Sequence, residues 1–418
     1  MQKKYIQLDN QEVFNDQYVL CVFYVKTYGK ASLLDAASEI AAESSNGSNI
    51  EDIKTVTKFS DAMGGVVYKV EEKKNLVYIA YPWRMFDRGG NVQNIITFLA
   101  GNILGMGNLK ACKMLDIWFP NTMLDLYDGP SYTLDDMRAY LNVYNRPILG
   151  TIIKPKIGLT AAEYAEVCYD FWAGGGDFVK NDEPQANQDF CPYDKMVDYI
   201  KEAMDRAEKE TGQTKVHSFN VSAADFDEMI ERAEYVKSVM KPGSYAFLVD
   251  GITAGWTAVQ TIRRRYPEVF LHFHRAGHGA FTRPENPFGF TVPVLSKFAR
   301  LAGASGIHTG TAGVGKMSGS VDEDIRAARL ARDLNAEGYF FEQTWGLIKE
   351  YDNDLEEELK AEKSRLSKEN FREVIAYHHN ILEKQHAQGE KSRGSFFAQD
   401  WREMAKTCPI ISGGLNPV

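Results

Sequence analysis

The chain has 418 residues, too many for one ordinary compact core but suited to a small domain joined to a larger barrel or sheet domain. Hydrophobic residues make up 44% and charged residues 25%, a globular composition, and the net charge of -9 argues against nucleic acid or an anionic membrane as the main partner. An anionic small substrate remains compatible with this charge, because a cleft can be locally basic.

The cysteines and the apolar segments indicate the compartment. The five cysteines are scattered, with no C-x-x-C pair, which favours free thiols in a reducing cytoplasm over a zinc ribbon or a disulfide framework. The first residues, MQKKYIQLDNQEV, lack an apolar h-region, and no apolar run is long enough to span a bilayer. We expect a soluble, cytoplasmic protein.

The first 140 residues mix strands and helices without a regular alternation. The patterns predict a strand, a helix, a hairpin-like pair of strands and a second helix, in the segments QYVLCVFYVK, ASLLDAASEIAAES, VVYKVEEKKNLVYIAYP and NVQNIITFLAGNIL. This order is typical of a small α+β domain with an antiparallel, ferredoxin-like sheet.

From residue 141 onward, short apolar strands alternate with amphipathic helices. The strands are predicted in RPILGTIIKPK, DFVKND, VHSFNVS, SYAFLVDG, VFLHFHRA, GIHTGT and CPIISGG. Strand starts recur every ~25–40 residues through the sixth, which suits a (β/α)8 TIM barrel. We therefore predict an N-terminal α+β domain over 1–140 and a barrel domain over 141–418.

The barrel pattern departs from a complete repeat at its C-terminal side. The seventh strand is predicted from Cys408 to Ser412, and no eighth follows before Val418, so we expect a barrel truncated after its seventh strand, and poor folding or activity unless a C-terminal segment is restored. A charged helical insertion at about 345–400 separates the sixth and seventh strands. A solvated surface insertion and an assembly element between subunits both remain open for it.

Polar residues cluster where the predicted barrel strands end, which is where barrel enzymes carry their catalytic groups. By strand they are Lys154 and Lys156 on the first, Lys180, Asp182 and Glu183 on the second, His272, His274, Arg275 and His278 on the fifth, His308 on the sixth, and Ser412, Gly413 and Gly414 on the seventh. Period-two alternation is expected to place Lys154 with Lys156, Lys180 with Asp182, and His272 with His274 on shared faces.

Each of these signals also has a structural explanation. The lysines could form a plain basic strand end, and Asp182 and Glu183 could cap the next helix. His272 is more often a hydrogen-bonded core histidine than a ligand, and His278 is left undecided. The stretch GTAGVGK could be an incidental flexible loop, since Met317 after Lys316 breaks the phosphate-loop pattern. It is their convergence at one end of the barrel that favours function.

The residue types point to a reaction class. Carboxylates with another oxygen ligand suit Mg²⁺, while Arg275, His308 and glycine amides near Gly413 and Gly414 suit phosphate. Lysines facing the metal could supply protons or polarise a carbonyl. Enolisation of a phosphorylated sugar is the natural class, although Lys180, a cation, should repel the metal.

The motifs resemble one known family in consistent order across nearly the whole chain. TIIKPKIGL, GGGDFVKNDEP, HFHRAGHGA, GIHTGTAGVGKM and PIISGGLNP, with AAESSNGSN and GNILGMG upstream, are similar to the large chain of ribulose-1,5-bisphosphate carboxylase/oxygenase, RuBisCO. The similarity is greatest to its form II and archaeal form II/III branch.

The resemblance resolves the conflict at Lys180. It implies that activating CO₂ converts this lysine to a carbamate, so that Lys180, Asp182 and Glu183 all become Mg²⁺ ligands. It also implies that the carbamate removes the C3 proton of ribulose 1,5-bisphosphate and that CO₂ or O₂ then reacts with the enediolate. The products of carboxylation are two molecules of 3-phosphoglycerate.

The resemblance assigns roles to the other residues as well. It implies proton transfers by Lys154 with support from Lys156, hydration of C3 by His274, and stabilisation of the new carboxylate by Lys316. Phosphate and hydroxyl contacts are implied for Arg275, His308, Ser412, Gly413 and Gly414. Glu43, Ser48, Asn49 and Asn102 would complete a neighbouring subunit's site, so a homodimer or larger homo-oligomer without a small subunit is expected; Ser48 stands where the family usually has threonine.

The same residues are compatible with three other functions. A RuBisCO-like enolase or isomerase of methionine salvage is the nearest, but such proteins typically lose carboxylation residues that this chain keeps, notably Lys316. A barrel metal hydrolase would use the H-x-H pair, although such pairs usually lie on the first strand, and a non-catalytic fragment is the third alternative. The pathway stays open between nucleoside-monophosphate (AMP) salvage and a carbon-fixation cycle.

Overall fold

The computed structural model describes residues 4–29, 31–47 and 55–311, residues 324 and 327, and the backbone of residues 408–411. Two β-sheets organise this part of the chain, one of five strands and one of seven. No helix within it is long and apolar enough to cross a bilayer. The predicted insertion at 345–400 lies outside the described residues.

The first sheet is built mainly from the N-terminal part of the chain. Its first four strands are β1 (Tyr18–Thr27), β2 (Val66–Glu71), β3 (Leu76–Pro82) and β4 (Leu109–Trp118). The accompanying helices are α1 (Leu33–Glu43), α2 (Lys58–Ala62), α3 (Val92–Leu99), α4 (Asn121–Leu124) and α5 (Leu134–Leu141). These strands pair antiparallel in the order β4-β1-β3-β2, as predicted for an α+β domain.

The second sheet is parallel and follows the predicted alternation of strands and helices. Its strands are β5 (Gly150–Ile152), β6 (Phe178–Lys180), β7 (Val216–Asn220), β8 (Tyr245–Asp250), β9 (Phe270–His274), β11 (Gly306–Gly310) and β12 (Cys408–Ile411), and β10 (Phe288–Phe290) lies in the connection after β9. The helices are α6 (Ala161–Ala173), α7 (Tyr193–Thr211), α8 (Phe226–Val239), α9 (Trp256–Arg265), α10 (Gly279–Thr282) and α11 (Val292–Leu301).

The strand order of this sheet is β5-β6-β7-β8-β9-β11-β12, and every pairing is parallel. Sequential parallel order with a helical crossover between strands is the arrangement of a TIM barrel wall. All residues of β7 and β8 are buried, as expected where helices cover the outer face of a sheet. The predicted fold class is confirmed.

Local sequence signals set where the helices begin and end, and so where the strand ends lie. Thr160 and Glu163 form a capping box that starts α6, because each side chain accepts from the other residue's backbone amide. Gly212 ends α7 in the left-handed conformation at φ +66°. These signals place the start of α6 after β5 and the end of α7 before β7.

One strand joins the two halves of the molecule in a way that the sequence did not indicate. β10 leaves the barrel side and pairs parallel to β4, with Phe288, Gly289 and Phe290 opposite Cys112, Lys113 and Met114. The Lys113 ammonium donates to the carbonyl oxygens of Arg283 and Asn286, at 2.5 and 3.1 Å. The N-terminal sheet therefore takes its fifth strand from the other half of the chain.

A buried ion pair lies beside this connection. Lys297 on α11 donates to Asp116 Oδ1 on β4 at 2.5 Å and to the Ile117 carbonyl oxygen at 2.7 Å. Both side chains are buried, at 4% and 6% exposed. The pair fixes α11 against the N-terminal sheet.

Candidate active site

Lys180 is a buried cation at the end of β6. Its ammonium donates to the Asn181 carbonyl oxygen at 2.8 Å, and Glu183 Oε2 lies 3.9 Å from it. Burial lowers the pKa of Lys180 from 10.5 to about 8, although the charges of Glu183, Asp182 and Asp250 act in the opposite direction. The amine is therefore neutral for an appreciable fraction of the time near neutral pH.

Asp182 lies beside Lys180 and is paired with Lys154. The Lys154 ammonium contacts Asp182 Oδ2, and the lysine side chain is 63% exposed whereas the aspartate is 1% exposed. The strand β5 ends at Ile152, so the expectation that Lys154 and Lys156 share a strand face was wrong: both lie in the loop that follows, outside the strand alternation. Among these described residues, Lys156 is exposed and forms no ion pair with either carboxylate.

His274, the last residue of β9, lies between two carboxylates. Its Nε2 is 3.3 Å from Glu183 Oε2, and its Nδ1 is 3.1 Å from Asp250 Oδ1. Two residues predicted at different strand ends, His274 and Glu183, are thus in direct contact. Burial raises the pKa of the Glu183 carboxyl, but a hydrogen bond with Asp182 and the charges of His274 and Lys180 outweigh it and lower that pKa overall.

Sequence reasoning missed Asp250. It ends β8, in register with His274 on the neighbouring strand, and its side chain is buried. The signal was available, because the apolar run of SYAFLVDG is followed by an aspartate, as other barrel strands are followed by polar residues. Asn220 at the end of β7 was passed over in the same way, and its amide donates to the Glu183 carbonyl oxygen at 2.8 Å.

His272 and His308 stack on each other inside the sheet. Their ring centroids are 5.1 Å apart, and the His308 ring also lies 5.8 Å from that of His274 in an edge-on arrangement. Burial holds the pKa of both His272 and His308 well below the ordinary value, and neighbouring positive charges add to the effect. His272 is fully buried, as expected for a core histidine, and within the described residues neither of its ring nitrogens has a hydrogen-bond partner.

Arg275 and His278 follow in the loop after β9. Arg275 is half-buried, and its charge contributes to the lowered pKa of His308 and His278. His278 Nδ1 lies 2.6 Å from Thr282 Oγ1, within the short helix α10 that it caps. This contact gives His278 a local structural role.

The N-terminal candidates form a separate contact. Asn102 Nδ2 donates to Glu43 Oε1 at 3.0 Å, which joins the end of α1 to the turn after α3. Among the described residues neither side chain forms a hydrogen bond or an ion pair with the barrel cluster. The remaining candidates lie outside the described residues: Ser48, Asn49, Lys316, Ser412, Gly413 and Gly414.

Comparisons with known proteins identify the family. A family model described as "Ribulose bisphosphate carboxylase large chain, catalytic domain" matches residues 133–351, and a model of the N-terminal domain of the same chain matches residues 4–123. The ribulose bisphosphate carboxylase of Rhodopseudomonas palustris strain BisB18 is 45% identical over 343 residues, covering 79% of this chain and 73% of that protein. That of Rhodobacter capsulatus is 42% identical over 355 residues, covering 82% and 77%.

Solved structures agree with the sequence comparisons. The dimeric archaeal Rubisco from Hyperthermus butylicus matches with a TM-score of 0.70 and 34% identity, covering 76% of this chain and 73% of that one. The octameric enzyme from Pyrococcus horikoshii OT3 matches with a TM-score of 0.72 and 31% identity, covering 79% and 78%. The resemblance found in the motifs is confirmed, and the chain belongs to the ribulose bisphosphate carboxylase large-chain family.

Proposed function

We propose that this chain carboxylates ribulose 1,5-bisphosphate with CO₂ and water to give two molecules of 3-phosphoglycerate, with oxygenation as a competing reaction. Family membership supports the reaction class. The observation that carries the proposal is the buried Lys180 amine beside Asp182 and Glu183. Lys154 contacts the Asp182 carboxylate, and His274 contacts the Glu183 carboxylate.

Lys180 is suited to carbamylation. At pH 7, an amine of pKa about 8 is neutral in about one tenth of the molecules, roughly 300-fold more than an ordinary lysine. The neutral nitrogen attacks the carbon of CO₂, a C–N bond forms and a proton leaves. The product is an anion with two oxygens at the position that the cation held.

The donor set after this change fits a hard divalent cation. Asp182 and Glu183 supply carboxylate oxygens and the Lys180 carbamate a third oxygen ligand, the chemistry that Mg²⁺ prefers. Without the carbamate the described residues contain no group of three His, Cys, Asp or Glu side chains able to hold a metal. Mg²⁺ bound there would stabilise negative charge that develops on the substrate oxygens.

The chain's own residues carry the proton transfers. The Lys180 carbamate takes the C3 proton of the substrate, and Lys154, whose ammonium reaches Asp182 from an exposed loop, moves protons at enolisation and at the final carbanion, with support from Lys156. His274 takes the proton of the water that adds at C3. Lys316 steadies the new carboxylate.

The remaining residues bind and orient the substrate. Arg275 and His308 hold one phosphate, Gly413 and Gly414 the other, and Ser412 a hydroxyl group. Glu43, Ser48, Asn49 and Asn102 complete the site of a neighbouring subunit, so the active form is a homo-oligomer without a small subunit. The dimeric Rubisco from Hyperthermus butylicus and the octameric one from Pyrococcus horikoshii OT3 support an oligomeric form.

The test is incubation with Mg²⁺ and ¹⁴CO₂, followed by ribulose 1,5-bisphosphate and analysis for labelled 3-phosphoglycerate. Lys180→Ala should abolish the label, and Lys110→Ala, at an exposed position on β4, should not. A carbamate signal by NMR with ¹³CO₂, present in the wild type and absent in Lys180→Ala, provides a second readout. A wild type that forms no labelled product refutes the proposal and directs the search to methylthio-sugar phosphates.

A further inference from the structure

Asp250 is a buried carboxylate directed at the side of His274 that faces away from Glu183. Its side chain is 10% exposed, and Oδ1 lies 3.1 Å from His274 Nδ1. Its position next to a proposed proton-transfer residue calls for an explanation.

The backbone holds Asp250 and His274 in fixed register. The two residues are opposite each other in the parallel pair β8–β9, and the Gly251 amide donates to the His274 carbonyl oxygen at 2.8 Å. The Asp250 amide donates to Ser222 Oγ at 2.9 Å, and its carbonyl oxygen accepts from Ala254 at 2.8 Å. The carboxylate is therefore presented from a rigid strand end, and its distance to the imidazole is set by the sheet.

The imidazole is confined on its other sides as well. Nε2 lies 3.3 Å from Glu183 Oε2, and the His308 ring is edge-on with its centroid 5.8 Å away. The two ring nitrogens thus face different surroundings. Nδ1 faces the buried Asp250, and Nε2 faces the cluster formed by Lys180, Asp182 and Glu183.

Two groups compete for Nδ1. The Ala276 amide lies 3.2 Å from it and would require a lone pair there, whereas Asp250 Oδ1 at 3.1 Å requires a proton. A buried carboxylate without a donor is strongly disfavoured, and a hydrogen bond to an ionised acceptor is stronger than one between neutral groups. Among the described residues, His274 is the hydrogen-bond donor within reach of this carboxylate. Glu183, 3.3 Å from Nε2, also attracts a proton, but it interacts with Lys180 and Asp182 as well, so the competition favours a proton on Nδ1.

We propose that Asp250 is a positioning residue for His274: its carboxylate accepts from Nδ1–H, fixes the ring orientation and leaves Nε2 as the basic nitrogen that faces the substrate site. This inference rests on the proposed function. An aspartate that holds a histidine in one tautomer is the arrangement used by hydrolytic triads on unrelated folds. Here it would serve the hydration of C3, the step assigned to His274.

The decisive substitution is Asp250→Asn, which preserves size but replaces the acceptor with an amide that can donate to Nδ1 and drive the proton to Nε2. We expect kcat for carboxylation to fall by about 100-fold, with KM for ribulose bisphosphate changed less than about 3-fold. Release of tritium from C3 of the substrate should stay within about 3-fold of the wild type, because enolisation is assigned to Lys180 and Lys154. Asp227→Asn, at an exposed position on α8, is the matched control and should leave all three values unchanged.

A double-mutant cycle separates positioning from a general loss of structure. If Asp250 acts through His274, Asp250→Asn should cost little further activity in a His274→Asn background. An Asp250→Asn enzyme within about 2-fold of the wild type, or a full additional loss in the double variant, would overturn the proposal. A parallel loss of tritium release would do the same.

A spectroscopic readout keeps this proposal distinct from the proposed function. In ¹⁵N-histidine-labelled protein, the imidazole signal identified by its loss in His274→Asn should report a proton on Nδ1 in the wild type and on Nε2 in Asp250→Asn. If the wild type makes no 3-phosphoglycerate but this change occurs, the proposed function fails and the Asp250–His274 pairing stands. The same tautomer in both proteins refutes the pairing whatever the activity.

Discussion

Lys180→Met should make the protein more stable while it abolishes carboxylation. Burial lowers the pKa of Lys180 from 10.5 to about 8. The two pKa values differ by about 2.5, and a difference of one in pKa corresponds to ~1.4 kcal/mol. The folded state therefore disfavours the protonated lysine by about 3 kcal/mol. Methionine has a similar length and carries no charge, so it removes this cost.

The sign of the pH dependence follows from the lowered pKa. Below pH 8 the lysine is protonated in both folded and unfolded chains, and the full cost is present. Between the folded value of about 8 and the unfolded value of 10.5 the folded lysine is neutral while the unfolded one still binds a proton, so the cost declines as pH rises. At pH 10 less than about 1 kcal/mol remains.

The assay is urea denaturation of wild type and Lys180→Met at pH 7 and pH 10, without Mg²⁺ or CO₂ and at one protein concentration, because assembly shifts apparent stability. The variant should gain at most about 3 kcal/mol at pH 7 and much less at pH 10. Lys110→Met, at an exposed position, should gain nothing at either pH. Equal gains for Lys180→Met at both pH values, or none at pH 7, would show that the lysine is not disfavoured by burial.

Three further substitutions test other parts of the structure. Lys297→Met removes the ammonium that pairs with the buried Asp116 carboxylate, and should lower the free energy of unfolding by about 3–5 kcal/mol in urea denaturation. Gly310→Ala would place a Cβ 1.8 Å from the Asp324 carboxyl carbon at a φ of +151°, and should cost at least about 2 kcal/mol, read as a lower thermal midpoint. His217→Gln should make the free energy of unfolding less dependent on pH in acid. Burial lowers the pKa of His217 to about 3, so below pH 6.5 the unfolded chain binds a proton at this residue that the folded chain does not. The wild type therefore loses about 3 kcal/mol of its free energy of unfolding at this residue by pH 4.5.

Each of these has a control variant or an outcome that would contradict it. Asp116→Leu combined with Lys297→Met removes both charges and should recover most of the loss; a double variant as unstable as the single one would count against the ion pair. Gly158 has a φ of +96°, but a Cβ added there would lie in open space. The thermal midpoint of Gly158→Ala should therefore fall less than that of Gly310→Ala. For His217, an acid profile that keeps the wild-type slope in the glutamine variant would rule out this residue as its source.

The sequence was informative where structure is periodic or local. The alternation of strands and helices predicted the parallel sheet in its correct order, and hydrophobic pattern predicted β1, α1, β2, β3 and α3. The ten-residue strand β4 was missed although it is almost fully buried, because Lys110, Lys113 and Asp116 interrupt its apolar pattern. Two of these charged residues, Lys113 and Asp116, are buried, which a hydrophobic pattern does not predict.

Long-range relations were not accessible in this way. The pairing of β10 with β4 joins residues more than 170 positions apart, and a three-residue strand carries no recognisable pattern. The extent of β5 was also overestimated, since an apolar run continuing to Lys156 does not reveal that the ladder ends at Ile152. Residue identity at strand ends located Lys180, Asp182, Glu183 and His274, but their contacts required the register of the sheet.

The parallel pairing of β10 with β4 bears on any attempt to dissect the protein. An N-terminal fragment that ends before β10 would leave one edge of β4 without a neighbour, over the segment around Cys112–Met114. An exposed, apolar strand edge is a template for pairing with other chains. Such a fragment should self-associate when expressed alone, and supplying the 283–290 segment in trans or fused to it should restore a monodisperse protein.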